Sequence, residues 1–284
     1  MPLNLKNFNN FSIDGDVVRL NKDYLNKAFN YFKKITGTRF ASIVGLSKYN
    51  SPFKTWMMMT NLFTDTMDPT LAIVGNTIEP KIRDYVTKQL NIQYKVYNPR
   101  EINWDVFKEN KIFGGIPDGE PLNDVMVVDY SNDKPMLEIK TSSIDSFVYK
   151  KDFNNCLKMQ KDINGIPLVK EKNGKKDSWF KDGMINISGE YKMQLGLYLY
   201  LRNINHGVFA VGFLTGEDYV KPELFDTNTH DIRLVDFYVD LNKFKEYIDY
   251  ATEWYNNYIK TGTSPKMTID DKKWLEEEMK LVNK

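Results

Sequence analysis

Residues 114–140 constrain the fold most strongly, because this stretch combines strand-forming residues with ionisable ones. It contains the dipeptide Pro117-Asp118, the apolar run VMVVDY at 125–130, a polar turn at 131–135 and MLEIK at 136–140. The apolar run has the composition of a buried strand, and the residues after it are typical of a turn. The sequence therefore predicts a β-hairpin whose second strand carries Glu138 and Lys140.

The ionisable residues of this hairpin predict a metal site. Side chains alternate along a strand, so Glu138 and Lys140 are expected on one face, with Ile139 directed into the core. Asp118 is expected at the same edge if the strands pair about the turn. Carboxylates in a buried sheet are costly unless they coordinate an ion, and oxygen ligands suit Mg²⁺. A surface hairpin with a cross-strand ion pair is the alternative.

Composition limits the classes of protein that fit. The 284 residues are 42% hydrophobic and 14% aromatic, enough for a substantial core. Without an apolar run near 18 residues or a secretory signal pattern, we expect a cytoplasmic protein that is not in a membrane. A net charge of +1 requires any nucleic-acid surface to be local. Cys156 is the single cysteine, and His206 and His230 lack ligand spacing, which argues against zinc or iron–sulfur sites.

Hydrophobic periodicity predicts a chain of mixed helices and strands. Ser51-Pro52 and Asp68-Pro69 are helix-start signals, and Glu79-Pro80 is expected at a bend within the second of these helices, at about 70–90. The other predicted helices lie at about 22–35, 39–44, 143–160, 189–204, 241–260 and 269–282. The predicted strands outside the hairpin lie at 16–20, 92–97, 207–214 and 232–239, and residues 104–113 are expected to form another strand or a pair of turns.

Residues at about 158–188 are rich in lysine and glycine and are interpreted as a basic insertion near the site. Asn173-Gly174 is a hairpin signal. Trp179 and Phe180 are candidates for stacking on single-stranded bases, and a solvated excursion is the alternative. Since no repeat or linker interrupts the chain, residues 1–284 are interpreted as a single domain ending in helices at about 241–282.

Five short motifs follow one another in a fixed order. They are I-T-G-T-R-F-A-S-I-V-G-L-S at 35–47, G-N-x-x-E-P at 75–80, G-x-P-D-G at 115–119, L-E-I-K at 137–140 and Q-x-x-x-Y at 194–198. This set, spanning about residues 31–205, resembles the YqaJ-type viral recombinase family, which includes lambda exonuclease, within the PD-(D/E)XK nuclease superfamily. The resemblance implies an α/β (α+β) fold with a restriction-endonuclease-like core: a central mixed β-sheet flanked by helices.

The resemblance also implies a role for each motif residue. The implied catalytic residues are Asp118, Glu138, Lys140 and Glu79. The three carboxylates are the implied metal ligands, joined by the main-chain carbonyl of Ile139. The implied DNA-binding residues are Gln194, Tyr198, Thr38, Arg39 and Ser42, the last three near a 5′ phosphate. Lys33 or Lys34 stands for the basic residue that family members often carry before I-T-G.

The function implied by the resemblance is a Mg²⁺-dependent DNA exonuclease in which Mn²⁺ can substitute. It would digest one strand from the ends of double-stranded DNA. The product would be used by a single-strand annealing protein during phage or prophage recombination. By analogy with lambda exonuclease, the chain would form a homo-oligomer, a ring-shaped trimer. Two alternatives stay open: a PD-(D/E)XK endonuclease of restriction or repair type, which would cut closed circles, and an inactive DNA-binding protein on the same fold.

Overall fold

A mixed β-sheet with helices on both faces forms the centre of the molecule. The computed structural model describes residues 5, 7–65, 68–131, 133–152 and 156–282. The strands are β1 (Phe11–Asp14), β2 (Val17–Leu20), β3 (Tyr94–Lys95), β4 (Glu120–Pro121), β5 (Met136–Ser143), β6 (Ser146–Phe147), β7 (Tyr149–Lys151), β8 (Leu157–Met159), β9 (Val169–Glu171), β10 (Phe180–Lys181), β11 (Met184–Ile185), β12 (His206–Leu214) and β13 (Ile232–Tyr238). The helices are α1 (Lys22–Ala28), α2 (Gly37–Ile43), α3 (Pro52–Met59), α4 (Pro69–Leu90), α5 (Gly174–Asp177), α6 (Gly189–Arg202), α7 (Leu241–Trp254) and α8 (Ile269–Val282).

The central sheet has the order β13-β12-β5, with β12 parallel to β5 and antiparallel to β13. Strand β12 is buried along almost its whole length because apolar layers cover both of its faces. Val208 and Ala210 pack with the apolar stripe of α4, whereas Phe209 and Val211 belong to the larger cluster that includes α6 and α7. The mixed sheet flanked by helices confirms the predicted fold class.

Two long helices position the site, and both begin and end where the sequence predicts. In α4, the Asp68 side chain accepts a hydrogen bond from the Thr70 N–H. The helix continues through Pro80 and ends at Asn91, whose backbone is in the left-handed conformation. In α6, the Ser188 side chain accepts the Tyr191 N–H, and a left-handed Asn203 ends the helix. Among the described residues, none of the helices has the length and apolar content needed to cross a membrane.

The predicted hairpin is wrong in its first strand. Residues 125–127 form a turn with Val125 76% and Met126 63% exposed. The Asn123 side-chain oxygen accepts the N–H groups of Val125 and Val127, and Met126 has a φ of 61°, so a local asparagine turn replaces the strand. Strand β5 pairs instead with the longer apolar strand β12. In the predicted turn at 131–135, Asn132 lies outside the described residues.

The predicted helix at 143–160 is also wrong. Its described part forms β6, β7 and β8, and residues 153–155 lie outside the description. Strand β7 pairs with β8, while β6 pairs with β9 of the insertion. Strands β7 and β8 form a local hairpin, whereas β6 and β9 lie more than twenty residues apart, so the helical periodicity of the segment could not reveal the β6–β9 pairing.

Within the insertion, Asn173-Gly174 begins the short helix α5, and the hairpin turn falls between β10 and β11. Trp179 is buried, stacks on Tyr191 with ring centroids 5.5 Å apart and donates its indole N–H to the Ser142 hydroxyl. The predicted stacking of Trp179 on bases is therefore wrong, because its ring is already used by the core. Phe180 is half-buried against Phe213.

Some boundaries differ from the prediction. Helix α1 ends at Ala28 and continues as a 3₁₀ turn, Phe29–Tyr31. The strand predicted at 92–97 shrinks to β3, which pairs with β4. Helix α7 ends in a π-helical turn, Tyr255–Ile259. Further 3₁₀ turns lie at Phe8–Asn10, Glu217–Tyr219 and Pro222–Leu224.

Candidate active site

Asp118 reaches strand β5 through a backbone bridge rather than through a hairpin. Gly119 and Leu137 exchange two backbone hydrogen bonds, of 3.2 and 2.9 Å. This bridge sets Asp118 beside the next peptide of the strand, and its Oδ2 accepts the Ile139 N–H at 2.7 Å. Burial raises the pKa of Asp118, against the opposing effect of the Lys140 ammonium.

Glu138 is completely buried, and only one of its two carboxylate oxygens accepts a hydrogen bond from a described residue. Its Oε1 accepts a hydrogen bond of 2.6 Å from Lys140 Nζ, while its Oε2 has no hydrogen-bond partner among the residues described. Burial, and then the charge of Asp118, raise the pKa of Glu138 to about 8. A buried carboxylate with an unpaired oxygen beside a second carboxylate is a site that a cation would stabilise.

Lys140 occupies the opposite end of this cluster and is held in place from three sides. Besides Glu138, its Nζ donates to Gln194 Oε1 at 3.1 Å and lies 4.8 Å from the centre of the Tyr191 ring. Burial lowers the pKa of Lys140, but Glu138 and Asp118 outweigh burial, so the pKa lies above its ordinary value. The side chain is therefore a fixed ammonium group.

Glu79 adjoins the cluster from α4. Its carboxylate forms an ion pair with Arg83, one helical turn later, and Arg83 Nε donates to the Asp118 carbonyl at 3.1 Å. Burial and the nearby Asp118 raise the pKa of Glu79. Across the described ranges, no three acidic, histidine or cysteine side chains converge closely enough to hold an ion by themselves. The structure thus brings Asp118, Glu138 and Lys140 together, with the Glu79 carboxylate bound to Arg83.

Gln194 and Tyr198 pack against helix α2 and the Gly115 loop, respectively. A Cβ atom at Gly37 would lie 2.3 Å from Gln194 Cγ, so glycine allows α2 to pack on α6. Gly115 has a φ of 135°, and a Cβ there would lie 2.6 Å from the Tyr198 hydroxyl. Tyr198 is 4% exposed. Gln194 thus packs against Gly37 and accepts from Lys140, Tyr198 packs against Gly115, and direct contact of either residue with DNA stays a prediction.

Gly114 and Gly115 also line a cavity of about 920 Å³. Its charged lining residues are Lys33, Lys34, Arg39, Lys108 and Asp105. Arg39 Nη1 donates to the Lys34 carbonyl at 2.9 Å, and burial lowers the pKa of Arg39. Thr38 and Ser42 were also predicted to lie near a 5′ phosphate. Thr38 is exposed and does not line the cavity. Ser42 is 2% exposed, and its hydroxyl donates to the Thr38 carbonyl. The geometry thus supports Arg39 as a lining residue but gives no support to Ser42.

A family model for the YqaJ-like viral recombinase domain matches residues 30–162, a range that contains all four implied catalytic residues. The chain belongs to the YqaJ-like family. It is 51% identical over 268 residues to "Uncharacterized protein MG373" of Mycoplasma genitalium, covering 94% of this chain and 95% of that protein. It is 48% identical over 266 residues to the MG373 homolog of Mycoplasma pneumoniae, covering 93% and 94%.

Two solved structures resemble this YqaJ-like chain more distantly. The alkaline exonuclease LHK-Exo from Laribacter hongkongensis has a TM-score of 0.47 and 12% identity, covering 92% of this chain and 100% of that one. A phage-related exonuclease from Haemophilus somnus 129PT has a TM-score of 0.43 and 14% identity, covering 81% and 96%. Because both TM-scores lie below 0.5, the family assignment rests on the sequence matches.

The five motifs do not include one buried network of charged residues next to Asp118. Glu120 is completely buried, and its carboxylate accepts hydrogen bonds from Arg202 Nε at 2.5 Å and Arg202 Nη2 at 3.3 Å. The Tyr97 hydroxyl donates to the same carboxylate. Arg202 follows Tyr198 by four residues, so the spacing that pairs Gln194 with Tyr198 could have extended the motif by one turn.

The close approach of Gly37 to Gln194 gives a prediction. Gly37→Ala should lower turnover because the added methyl group must displace Gln194, which holds Lys140. Losing one positioned hydrogen-bonding group lowers rates by roughly 10–100-fold. Initial hydrolysis rates on linear duplex would measure this change. Gly189→Ala is the matched control, since nothing lies within 4 Å of a Cβ there, and an equal loss in both variants would contradict the account.

Proposed function

We propose that the protein is a divalent-metal-dependent deoxyribonuclease that hydrolyses phosphodiester bonds from the ends of duplex DNA. The observation that carries the proposal is the buried Oε2 of Glu138, which lies beside Asp118 and Lys140 and has no hydrogen-bond donor in the part of the chain that the structure describes. Membership of the YqaJ-like family supports it. Because that domain is named for viral recombinases, we further propose a role in DNA recombination with a single-strand annealing partner.

The residues present fit a hard divalent cation such as Mg²⁺, with Mn²⁺ as a substitute. Asp118 and Glu138 would hold it, since both offer carboxylate oxygens and one oxygen of Glu138 accepts from no donor among the described residues. The Ile139 carbonyl and Glu79 are proposed as further ligands. When bound, such an ion supplies a water of lowered pKa and offsets charge on the phosphate oxygens.

The protein's own groups orient the reacting atoms. Lys140 offers N–H donors from a fixed position, because Glu138 and Gln194 hold its ammonium group. Those donors can orient the attacking water and stabilise negative charge on the phosphate in the transition state. The buried Tyr198 supports Gly115, and through it the loop that carries Asp118. The arrangement resists displacement of the reacting groups during hydrolysis.

The cationic cavity supports recognition of a terminal 5′ phosphate. Four cationic side chains and one carboxylate line it, and Lys34 is paired with that carboxylate, Asp105, at 2.5 Å. Arg39 has the planar fork of donors that suits a phosphate. The cavity shares Gly115 with the loop that leads to Asp118, which would set the 5′ end near the carboxylates.

Arg39→Ala should reduce the preference for 5′-phosphorylated over 5′-hydroxyl ends. Charge-assisted hydrogen bonds contribute about 1.5–3 kcal/mol, so the preference should fall by about 10–150-fold. The ratio of kcat/KM on the two substrates measures it. Arg100→Ala, which removes an exposed arginine that is not part of the cavity lining, is the control. An unchanged ratio in Arg39→Ala would reject this subsite.

End-labelled linear duplex and a closed circle of the same sequence test the reaction type. With Mg²⁺, the wild type should release nucleotides from the linear duplex and leave the circle intact. EDTA, Asp118→Asn and Glu138→Gln should each abolish release, whereas Asp124→Ala, which alters a fully exposed acid, should not. Nicking of the circle would instead support an endonuclease, and an inert wild type would reject the nuclease proposal.

A further inference from the structure

Trp104 lies at the rim of the cationic cavity in an unusual conformation. Its side chain is 66% exposed. Its backbone φ is 62°, in the left-handed region where a bulky residue is an outlier. Its N–H donates to the Pro99 carbonyl at 2.7 Å, which holds this turn. An exposed indole on a strained backbone adds little to folding, so its placement points to a ligand.

The cavity beside the indole has the chemistry of a strand-binding site. Tyr31 is a second lining aromatic and is 78% exposed. Cations that hold phosphates, combined with exposed rings that stack on bases, are the means by which proteins bind single-stranded ends. Because Trp has the larger ring face and a backbone fixed by the turn, it is the stronger stacking platform of the two.

We propose that Trp104 stacks on the base of the 5′-terminal nucleotide whose phosphate occupies the cavity. The ligand class is the 5′-phosphorylated end of a DNA strand, and the contact is sequence-tolerant because every base has a stacking face. The identity of the strand rests on the proposed function. The contact itself is an equilibrium binding interaction and needs no hydrolysis.

Fluorescence anisotropy in EDTA tests the contact without cleavage. The probe is a short single-stranded oligonucleotide with a 3′ dye and a 5′ phosphate, whose first nucleotide is either natural or abasic. The wild type should bind the natural end about 5- to 150-fold more tightly than the abasic end. Trp104→Ala should bind both equally, Trp104→Phe should keep part of the preference, and Tyr250→Ala, which alters an exposed tyrosine of α7, should behave as wild type.

Trp104→Asn separates stacking from folding. Asparagine tolerates a left-handed backbone, so this variant should unfold at the same or a higher temperature while losing the preference for the natural end. The inference is overturned if the wild-type protein binds both probes equally or binds neither. It is also overturned if the Trp104→Ala variant keeps its preference for the natural end over the abasic end. Mg²⁺-dependent hydrolysis of linear duplex is measured in a separate assay. If the wild-type protein shows no hydrolysis, the proposed function is overturned. If it hydrolyses DNA but binds the natural and abasic ends equally, only the role of Trp104 is overturned.

Discussion

Glu138→Gln is expected to lower the rate of DNA hydrolysis by about 10³-fold or more, because it removes the carboxylate that the site needs to hold a cation. Glutamine keeps the size of the side chain and an oxygen that can accept from Lys140 Nζ. It removes the negative charge whose burial raises the pKa of Glu138 to about 8. Because Asp118 still offsets the charge of the Lys140 ammonium, the free energy of unfolding should change by no more than about 1 kcal/mol.

Thermal unfolding with and without Mn²⁺ separates these effects. Ligand present at 100 times its Kd for the native state stabilises that state by about 2.7 kcal/mol, which should raise the Tm of a chain of this length by about 4–5 °C. Wild type should show this shift and Glu138→Gln should not. Lys140→Met should retain a shift, since it leaves both carboxylates in place. A Glu138→Gln variant that keeps both its hydrolysis rate and its Mn²⁺ shift would contradict the assignment.

Arg202→Met should destabilise the protein by about 3–5 kcal/mol, because it leaves the buried Glu120 carboxylate without its cationic partner. Arg202 also stacks over Phe107 with its guanidinium carbon 4.5 Å from the ring centre, and Phe107 in turn stacks on Tyr198. The substitution therefore also disturbs the support of the loop that carries Asp118. Urea denaturation at constant protein concentration gives the change in unfolding free energy.

A double-mutant cycle attributes this loss to the ion pair. Glu120→Leu combined with Arg202→Met removes both charges, and replacing a buried pair with apolar residues is often neutral or stabilising. The double variant should therefore recover most of the stability lost in Arg202→Met. Lys245→Met, which breaks the exposed pair with Asp249, should change stability by no more than about 1 kcal/mol. Additive losses in the double variant would show that the network does not act as a buried pair.

The sequence predicted elements whose signals are local. Ser51 and Asp68 each cap a helix through their side chains, so the starts of α3 and α4 could be located from the local sequence. Strand β12 could be predicted because burial on both faces requires a continuous apolar run. The alternation rule likewise predicted that Glu138 and Lys140 lie on one face of β5, where their charged groups meet.

The failed predictions have two causes, a missed local turn and contacts far apart in the chain. The Asn123 turn is a local signal that the apolar composition of residues 125–130 outweighed, whereas no local signal shows that β5 will pair with a strand about seventy residues later. The burial of Trp179 against Tyr191 is equally non-local. The Glu120–Arg202 pair was missed because each residue alone is an ordinary charged residue, and its importance follows from burial that only the fold creates.

Isothermal titration of Mn²⁺ into metal-free protein tests the central claim most directly, because it needs neither substrate nor turnover. Wild type should bind the ion with a saturable heat, and Glu138→Gln and Asp118→Asn should each lose that binding, while Asp124→Ala should bind as wild type does. Equal binding by wild type and Glu138→Gln, or no binding by wild type, would contradict a metal site built from Asp118 and Glu138.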